Sequence, residues 1–232
     1  MLMPASRYDL IIFDCDGVLI DSEIMSSETL ISSLDSLGVS ISHDFVQHHF
    51  LGRSFAKVAE TVLRDFGVVL PQEFERTYRT SLLEAFESGL VPTDGIVTVL
   101  EALTIPFCVA TSSSPERARR SLEIAGLADC FDQAVFTASE VKHGKPAPDL
   151  FLFAAEKFRT EPKKCLVIED SLPGIEAAEA AGMDVWRYVG GSHLSSDGSL
   201  SGHNRPGLQV FESWTHFLPL IRAKTDERLA GF

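Results

Sequence analysis

The pattern of apolar and polar positions changes character twice along the chain. Leu10-Ile11-Ile12-Phe13 is an unbroken apolar run of strand length, as expected of a strand buried on both faces. It stops at Asp14-Cys15-Asp16-Gly17, two carboxylates spaced i and i+2 and then a residue that turns freely. From residue 22 to about 90 the spacing is helical only. Leu30, Leu34 and Leu37 share a face that ends at Gly38; Phe55, Val58, Val62 and Phe66 share another that ends at Gly67. Pro71 opens a third helix carrying Phe74, Tyr78, Leu82 and Phe86, which runs out at Gly89, and residues 42–50 make a shorter piece.

From Pro92 onward helices alternate with short apolar runs. Strands are expected at 107–110, 134–136, 166–168, 185–188 and 208–211. Between them lie a helix with Ile96, Val99 and Leu100 on one face, one capped by Ser114-Pro115, one over 148–158 and an alanine-rich one capped by Ser171. Such alternation implies parallel pairing. The expected fold is therefore α/β: a Rossmann-like parallel sheet built from residues 1–20 and 91–232, with residues 21–90 inserted as a helical domain. The Asp21-Ser22 joint and residues 89–95 are the expected hinges. Residues 190–207, rich in Gly and Ser, read as a loop over the sheet edge.

Composition narrows the partners. Lys plus Arg number 20 against 33 Asp plus Glu, a net charge of −13, which repels nucleic acid backbones and anionic lipid. No apolar run approaches the ~18 residues of a membrane span. The first strand begins within a few residues of Met1, leaving no room for a signal peptide, so a cytoplasmic monomer is expected. Cys15, Cys108, Cys130 and Cys165 are far apart and read as reduced thiols. The seven histidines, His193 and His203 among them, have neither triad nor metal spacing and are expected on the surface.

The chemistry gathers at strand ends. Asp14 and Asp16 follow the first strand, Thr111-Ser112-Ser113 the second, Lys145 lies beyond the third, and Glu169-Asp170 follow the fourth. Ligands of an open parallel sheet bind outside these carboxyl ends, so the groups can converge. Clustered carboxylates call for a hard cation, most simply Mg²⁺, while a lysine and a hydroxyl suit the oxygens of a phosphoryl group. A metal on Asp14 would depress its pKa while Asp16 stays protonated, so one acid could attack phosphorus and the other protonate the leaving alcohol. His143-Gly144-Lys145 is not a P-loop, because Pro146 stands where a Ser or Thr belongs.

Taken together, Asp14-x-Asp16-Gly17-Val18-Leu19-x-Asp21-Ser22, Thr111-Ser112, Gly144-Lys145-Pro146-x-Pro148-Asp149 and Ile168-Glu169-Asp170-Ser171 resemble, in order, the four motifs of the haloacid dehalogenase superfamily. The β-phosphoglucomutase-like branch of sugar-phosphate phosphatases and mutases is the most similar, and the helical insertion resembles its four-helix cap. The resemblance implies that Asp14 is the nucleophile and Asp16 the acid and base. It also implies that Thr111 and Lys145 hold phosphoryl oxygens, with Ser112 and Ser113 beside the substrate. Mg²⁺ would sit on Asp14, the main-chain carbonyl of Asp16 and Asp170, with Glu169 as a further acid, and the Lys145–Pro146 bond would be cis. Arg53, in the cap loop of residues 50–55, is the candidate for contact with the substrate's far end, whereas Lys57 reads as solvated.

Two activities compete. The first is a Mg²⁺-dependent phosphatase acting on a small phosphorylated sugar, sugar acid or polyol, such as 6-phosphogluconate or a hexose phosphate. The second is a phosphosugar mutase, but the cap positions where those mutases carry a histidine, a lysine and an arginine hold Ser26, Leu51 and Phe55. A catalytically silent binding domain would be expected to lose some of Asp14, Asp16, Lys145 or Asp170, and all are present.

Overall fold

In the computed structural model, which describes residues 7–50, 53–195 and 207–221, β1 (Leu10–Phe13) is fully buried and runs through the middle of a six-stranded sheet. The other strands are β2 (Phe107–Thr111), β3 (Val135–Thr137), β4 (Cys165–Glu169), β5 (Asp184–Tyr188) and β6 (Gln209–Phe211). Their order is β3-β2-β1-β4-β5-β6 and every pairing is parallel. All six expected strands are present, three of them extended by one or two residues, one shifted by one and one shortened by one. The strand order reverses between β1 and β4, the place in an open α/β sheet where a crevice forms.

Alternation along β1 feeds two cores. Ile11 and Phe13 join Val109, Leu166, Ile168 and Trp214 on one face, while Leu10 and Ile12 join Cys108, Val167, Leu150 and Phe151 on the other. This double burial is why β1 reads as continuous rather than alternating hydrophobicity. Cys15, Cys108 and Cys165 are buried free thiols and Cys130 is an exposed one.

The insertion between β1 and β2 holds α1 (Glu23–Asp35), α2 (His43–His49), α3 (Phe55–Phe66) and α4 (Phe74–Gly89), a helical cap. Of the faces read from spacing, Leu30 and Leu34, Val58 and Val62, and Phe74, Tyr78, Leu82 and Phe86 are buried, while Leu37, Phe55 and Phe66 are half-buried; α2 adds the buried Val46. Further on come α5 (Ile96–Ala102), α6 (Pro115–Ile124), α7 (Ala128–Phe131), α8 (Asp149–Lys157), α9 (Leu172–Ala180) and α10 (Ser192–Ser195). The hydroxyls of Ser114 and Ser171 cap α6 and α9 as expected. Two single-turn helices escaped the sequence reading because four residues are too few for a periodic signal. One of them, α10, lies within residues 190–207, read as a loop; of that stretch, 196–206 fall outside the described residues, His203 with them.

The two crossings between core and cap are bound to each other. Asp21 N–H donates to the Val91 carbonyl and Thr93 N–H to the Leu19 carbonyl, each at 3.0 Å. Thr93 Oγ1 donates to the Val18 carbonyl at 2.6 Å and accepts from Trp214 Nε1 at 2.9 Å. Trp214 also stacks on Tyr188 at 4.8 Å between ring centroids and packs against Phe13, Phe211 and Phe217. One indole therefore joins the last strands, the first strand and the base of the cap. Trp214→Ala is expected to lower the unfolding free energy by about 3–5 kcal/mol, measured by urea denaturation. A loss within about 1 kcal/mol would show that the cluster repacks around the gap.

Candidate active site

Register explains why distant residues meet. Phe13 is level with Val109 on one side and with Ile168 on the other. The next positions, Asp14, Ala110 and Glu169, therefore lie abreast at the carboxyl edge. Lys145 bridges all three: its Nζ donates to Asp14 Oδ1 at 2.6 Å, to the Ala110 carbonyl at 3.0 Å and to Glu169 Oε1 at 2.7 Å. The ammonium has three protons and gives each to one acceptor. Its side chain is 2% exposed and lies over the Phe151 ring. The Lys145–Pro146 bond is cis.

Glu169 is held from the other side as well, its Oε2 accepting from the N–H groups of Asp170 and Ser171 and from Ser171 Oγ. One carboxylate oxygen of each of Asp14, Glu169 and Asp170 lies within 4.8 Å of the others, and all three residues are buried. Burial first, then the neighbouring carboxylates, push the Asp14 and Asp170 carboxyls well above the usual range. Lys145 is held charged, because the pull of Asp14 and Glu169 exceeds the burial that opposes it. Three acids against one lysine leave surplus negative charge in a dry site, with oxygen donors grouped as a hard divalent cation requires. The cluster is thus able to hold a metal ion.

Asp16 departs from expectation. Its side chain turns away from the acidic cluster: Oδ1 accepts from Ser22 Oγ and from the Arg117 guanidinium, and Oδ2 from Ser113 Oγ, all at 2.7 Å. Burial acts to raise its pKa, but Arg117 and the two hydroxyls outweigh it and hold the carboxyl below its usual range. Asp16 is therefore ionised here, not protonated as expected, because the sequence reading lacked Arg117. Thr111 is buried and its hydroxyl accepts from Ser113 N–H at 3.1 Å. Ser112, Ser113 and Arg53 line the same pocket, which is floored by Asp14 and Lys145 and walled on the cap side by Glu23, Ser26 and Tyr78.

Three participants were missed from the sequence. Arg117 sits in the first turn of α6, bonded to Asp16, to Ser26 at 3.2 Å and stacked over Phe86 of α4; its place just after the Ser114-Pro115 cap, beside a strand end, was the available signal. Glu23, also at the pocket, has its carboxyl pushed up to about 8 by burial and by Asp16. His193 was expected at the surface, yet its side chain is 8% exposed and Nε2 lies 3.0 Å from Asp170 Oδ2. The correction has a structural cause: α10 folds the segment after β5 back over the end of β1. At the mutase positions, Ser26 is bonded to Arg117 and Phe55 stacks with Tyr78, while Leu51 lies outside the described residues.

A parallel sheet with buried acids and one lysine at its switch point, roofed by an inserted helical cap, defines a class of α/β enzymes that work at the carboxyl edge. Residues 8–182 match a family profile described as haloacid dehalogenase-like hydrolase, and the chain belongs to that family. It is 28% identical over 189 residues to 6-phosphogluconate phosphatase of Escherichia coli (strain K12), covering 81% of this chain and 86% of that one. Identity to fructose-1-phosphate phosphatase of the same strain is 34% over 184 residues, covering 77% and 95%. A crystal structure of a haloacid dehalogenase-like protein of unknown function from Agrobacterium tumefaciens strain C58 superposes with a TM-score of 0.77 at 31% identity, covering 94% of this chain and 99% of that one. Among the described residues no helix is long and apolar enough to cross a membrane.

The Asp16–Arg117 pair generates a pH prediction. Because the folded-state carboxyl lies below its ordinary value of about 3.9, the pair stabilises the fold fully above that value and ceases to as pH falls through the lower, folded one. Arg117→Met, which strands a buried carboxylate, is expected to lower the unfolding free energy at neutral pH by about 3–5 kcal/mol. The gap to wild type should close in urea denaturation as the pH is taken below about 4. A gap independent of pH would contradict the pairing.

Proposed function

We propose that the chain is a Mg²⁺-dependent phosphatase of a small phosphorylated sugar, sugar acid or polyol, working through an aspartyl-phosphate on Asp14. The observation that carries this reading is the division of the two acids on the end of β1. Asp14 faces Lys145 and the acidic cluster, while Asp16 faces the cap side with Ser22, Ser113 and Arg117. A nucleophile and a proton carrier need such separate surroundings.

In the first step an Asp14 carboxylate oxygen attacks phosphorus, and the ester P–O bond breaks with its electron pair passing to the alcohol oxygen, which takes a proton from Asp16. In the second, a water oxygen attacks phosphorus and gives its proton to Asp16 as the bond to Asp14 breaks, leaving inorganic phosphate. Lys145 favours the ionised, attacking form of Asp14, and its positive charge draws the phosphoryl oxygens, with Thr111 beside it. Mg²⁺, held by Asp14, Asp170, Glu169 and the Asp16 carbonyl, would offset the negative charge that otherwise repels a phosphate dianion. Approach of that dianion raises the proton affinity of Asp16 against the pull of Arg117, and Asp16 takes up from solvent the proton that the first step passes to the alcohol.

Residues 21–90 are taken as the cap domain and 1–20 with 91–232 as the core. Arg53, Ser112 and Ser113 are taken to contact the substrate. Action on a small phosphorylated metabolite is supported by the phosphatases named above; that the chain acts as a cytoplasmic monomer is part of the same proposal. The mutase alternative is weaker, since Ser26 and Phe55 supply neither cation nor base.

With Mg²⁺ present, the protein is expected to release phosphate from an aryl phosphate, Asp14→Asn to abolish release, and Asp16→Asn to slow it roughly 10²–10⁴-fold. Full activity in Asp14→Asn, or in excess chelator, would overturn the mechanism. A panel of sugar phosphates scored for both phosphate and isomerised product separates the activities: faster isomerisation than hydrolysis would favour the mutase.

A further inference from the structure

The segment after β5 does more than close the sheet edge. Ser192 donates to Asp21 Oδ1 through both N–H, at 3.2 Å, and Oγ, at 2.8 Å, which fixes the start of α10 on the crossing into the cap. The next residue, His193, then reaches Asp170 Oδ2 with Nε2 at 3.0 Å. Two glycines clear a slot for the imidazole. A Cβ on Gly191 would lie 2.8 Å from His193 Nδ1, and one on Gly17, which has φ +78°, would overlap Asp170 Oδ2 and lie 3.0 Å from His193 Cε1, so the slot admits the carboxylate and the ring together. Among the described residues His193 Nδ1 is buried with no hydrogen-bond partner, an expense that a surface histidine avoids by turning to water.

We propose that His193 is a positioning residue that holds the Asp170 carboxylate for a divalent cation. The inference rests on the phosphatase reading above, in which Asp170 is a metal ligand. A carboxylate that binds a cation is ionised and only accepts, so in that state Nε2 carries the proton and Nδ1 the lone pair. That bond occupies Oδ2 and sets the plane of the carboxylate, leaving Oδ1 for the cation. Arg187, whose Nε donates to the Asp170 carbonyl at 3.1 Å, fixes the backbone but not the side chain. Groups that orient a metal ligand in this way typically change affinity 10–100-fold when removed.

The experiment is Mn²⁺ titration of the intact protein, following the free aqueous ion by electron paramagnetic resonance, with Mg²⁺ competition. His193→Leu is expected to weaken Mn²⁺ binding 10–100-fold. His193→Gln, which keeps an N–H donor, should recover much of that loss. Gly191→Ala, which keeps the imidazole but displaces the ring, should weaken binding in the same direction. In aryl phosphate hydrolysis, His193→Leu should raise the Mg²⁺ concentration for half-activation while kcat at saturating Mg²⁺ stays near wild type. Equal Mn²⁺ affinity in wild type and His193→Leu, or no recovery in His193→Gln, overturns this inference and leaves the phosphatase reading standing. Absence of Mn²⁺ binding in wild type overturns both.

Discussion

The structure depends on one ammonium group placed among three strand ends. Lys145 takes the position at which the register of β1, β2 and β4 brings a carboxylate, a carbonyl and a second carboxylate abreast. Buried charges of one sign are tolerated only when partners are supplied with good geometry. Here the partner arrives from the loop between β3 and α8, so the lysine also ties that loop to the middle of the sheet. In the proposed mechanism the bridge is a packing device and a chemical one, since what steadies Asp14 also sets its readiness to attack.

The acids around this bridge are in deliberate imbalance. Asp14, Glu169 and Asp170 outnumber the lysine, whereas Asp16, two residues after Asp14, is matched by Arg117 and two hydroxyls. Surplus negative charge at one spot favours a cation; matched charge at the other keeps a carboxylate ionised until the electrostatics change. Arg117 also touches Ser26 of α1 and Phe86 of α4. The residue that governs the proton carrier is thus in contact with the cap, and the cap's own crossings are anchored through Thr93 to Trp214 and through Asp21 to Ser192. Chemistry and cap position share a small set of contacts.

Much of this was legible in the sequence, for physical reasons. Asp14, Asp16, Glu169 and Asp170 follow apolar runs directly, so a strand reading also places them at the carboxyl edge. Lys145 was legible as the cation in the loop beyond the third strand, and the resemblance of its motif strengthened that reading, because a loop lysine carries no periodic signal. Arg117 escaped because a helix's first turn was read for its cap, Ser114, and not for the direction its side chains take over the neighbouring strand end. His193 escaped because Gly190-Gly191 looked like loop composition; Gly191 leaves room for the imidazole, and Gly190 for the Tyr188 phenol and the Glu212 carbonyl. The protonation of Asp16 was misjudged for the same reason, since a pKa belongs to a set of neighbours and one neighbour was missing from view.

The central claim is that Asp14 is the nucleophile, and trapping the covalent intermediate tests it most directly. Wild-type protein quenched in acid during turnover of a phosphate ester, reduced with borohydride and digested, is analysed by mass spectrometry. An aspartyl-phosphate is reduced to homoserine, so homoserine at position 14, dependent on the ester and absent from every other carboxylate, is the predicted result. Homoserine at another position, or phosphate release with position 14 unmodified throughout a burst, would contradict the account.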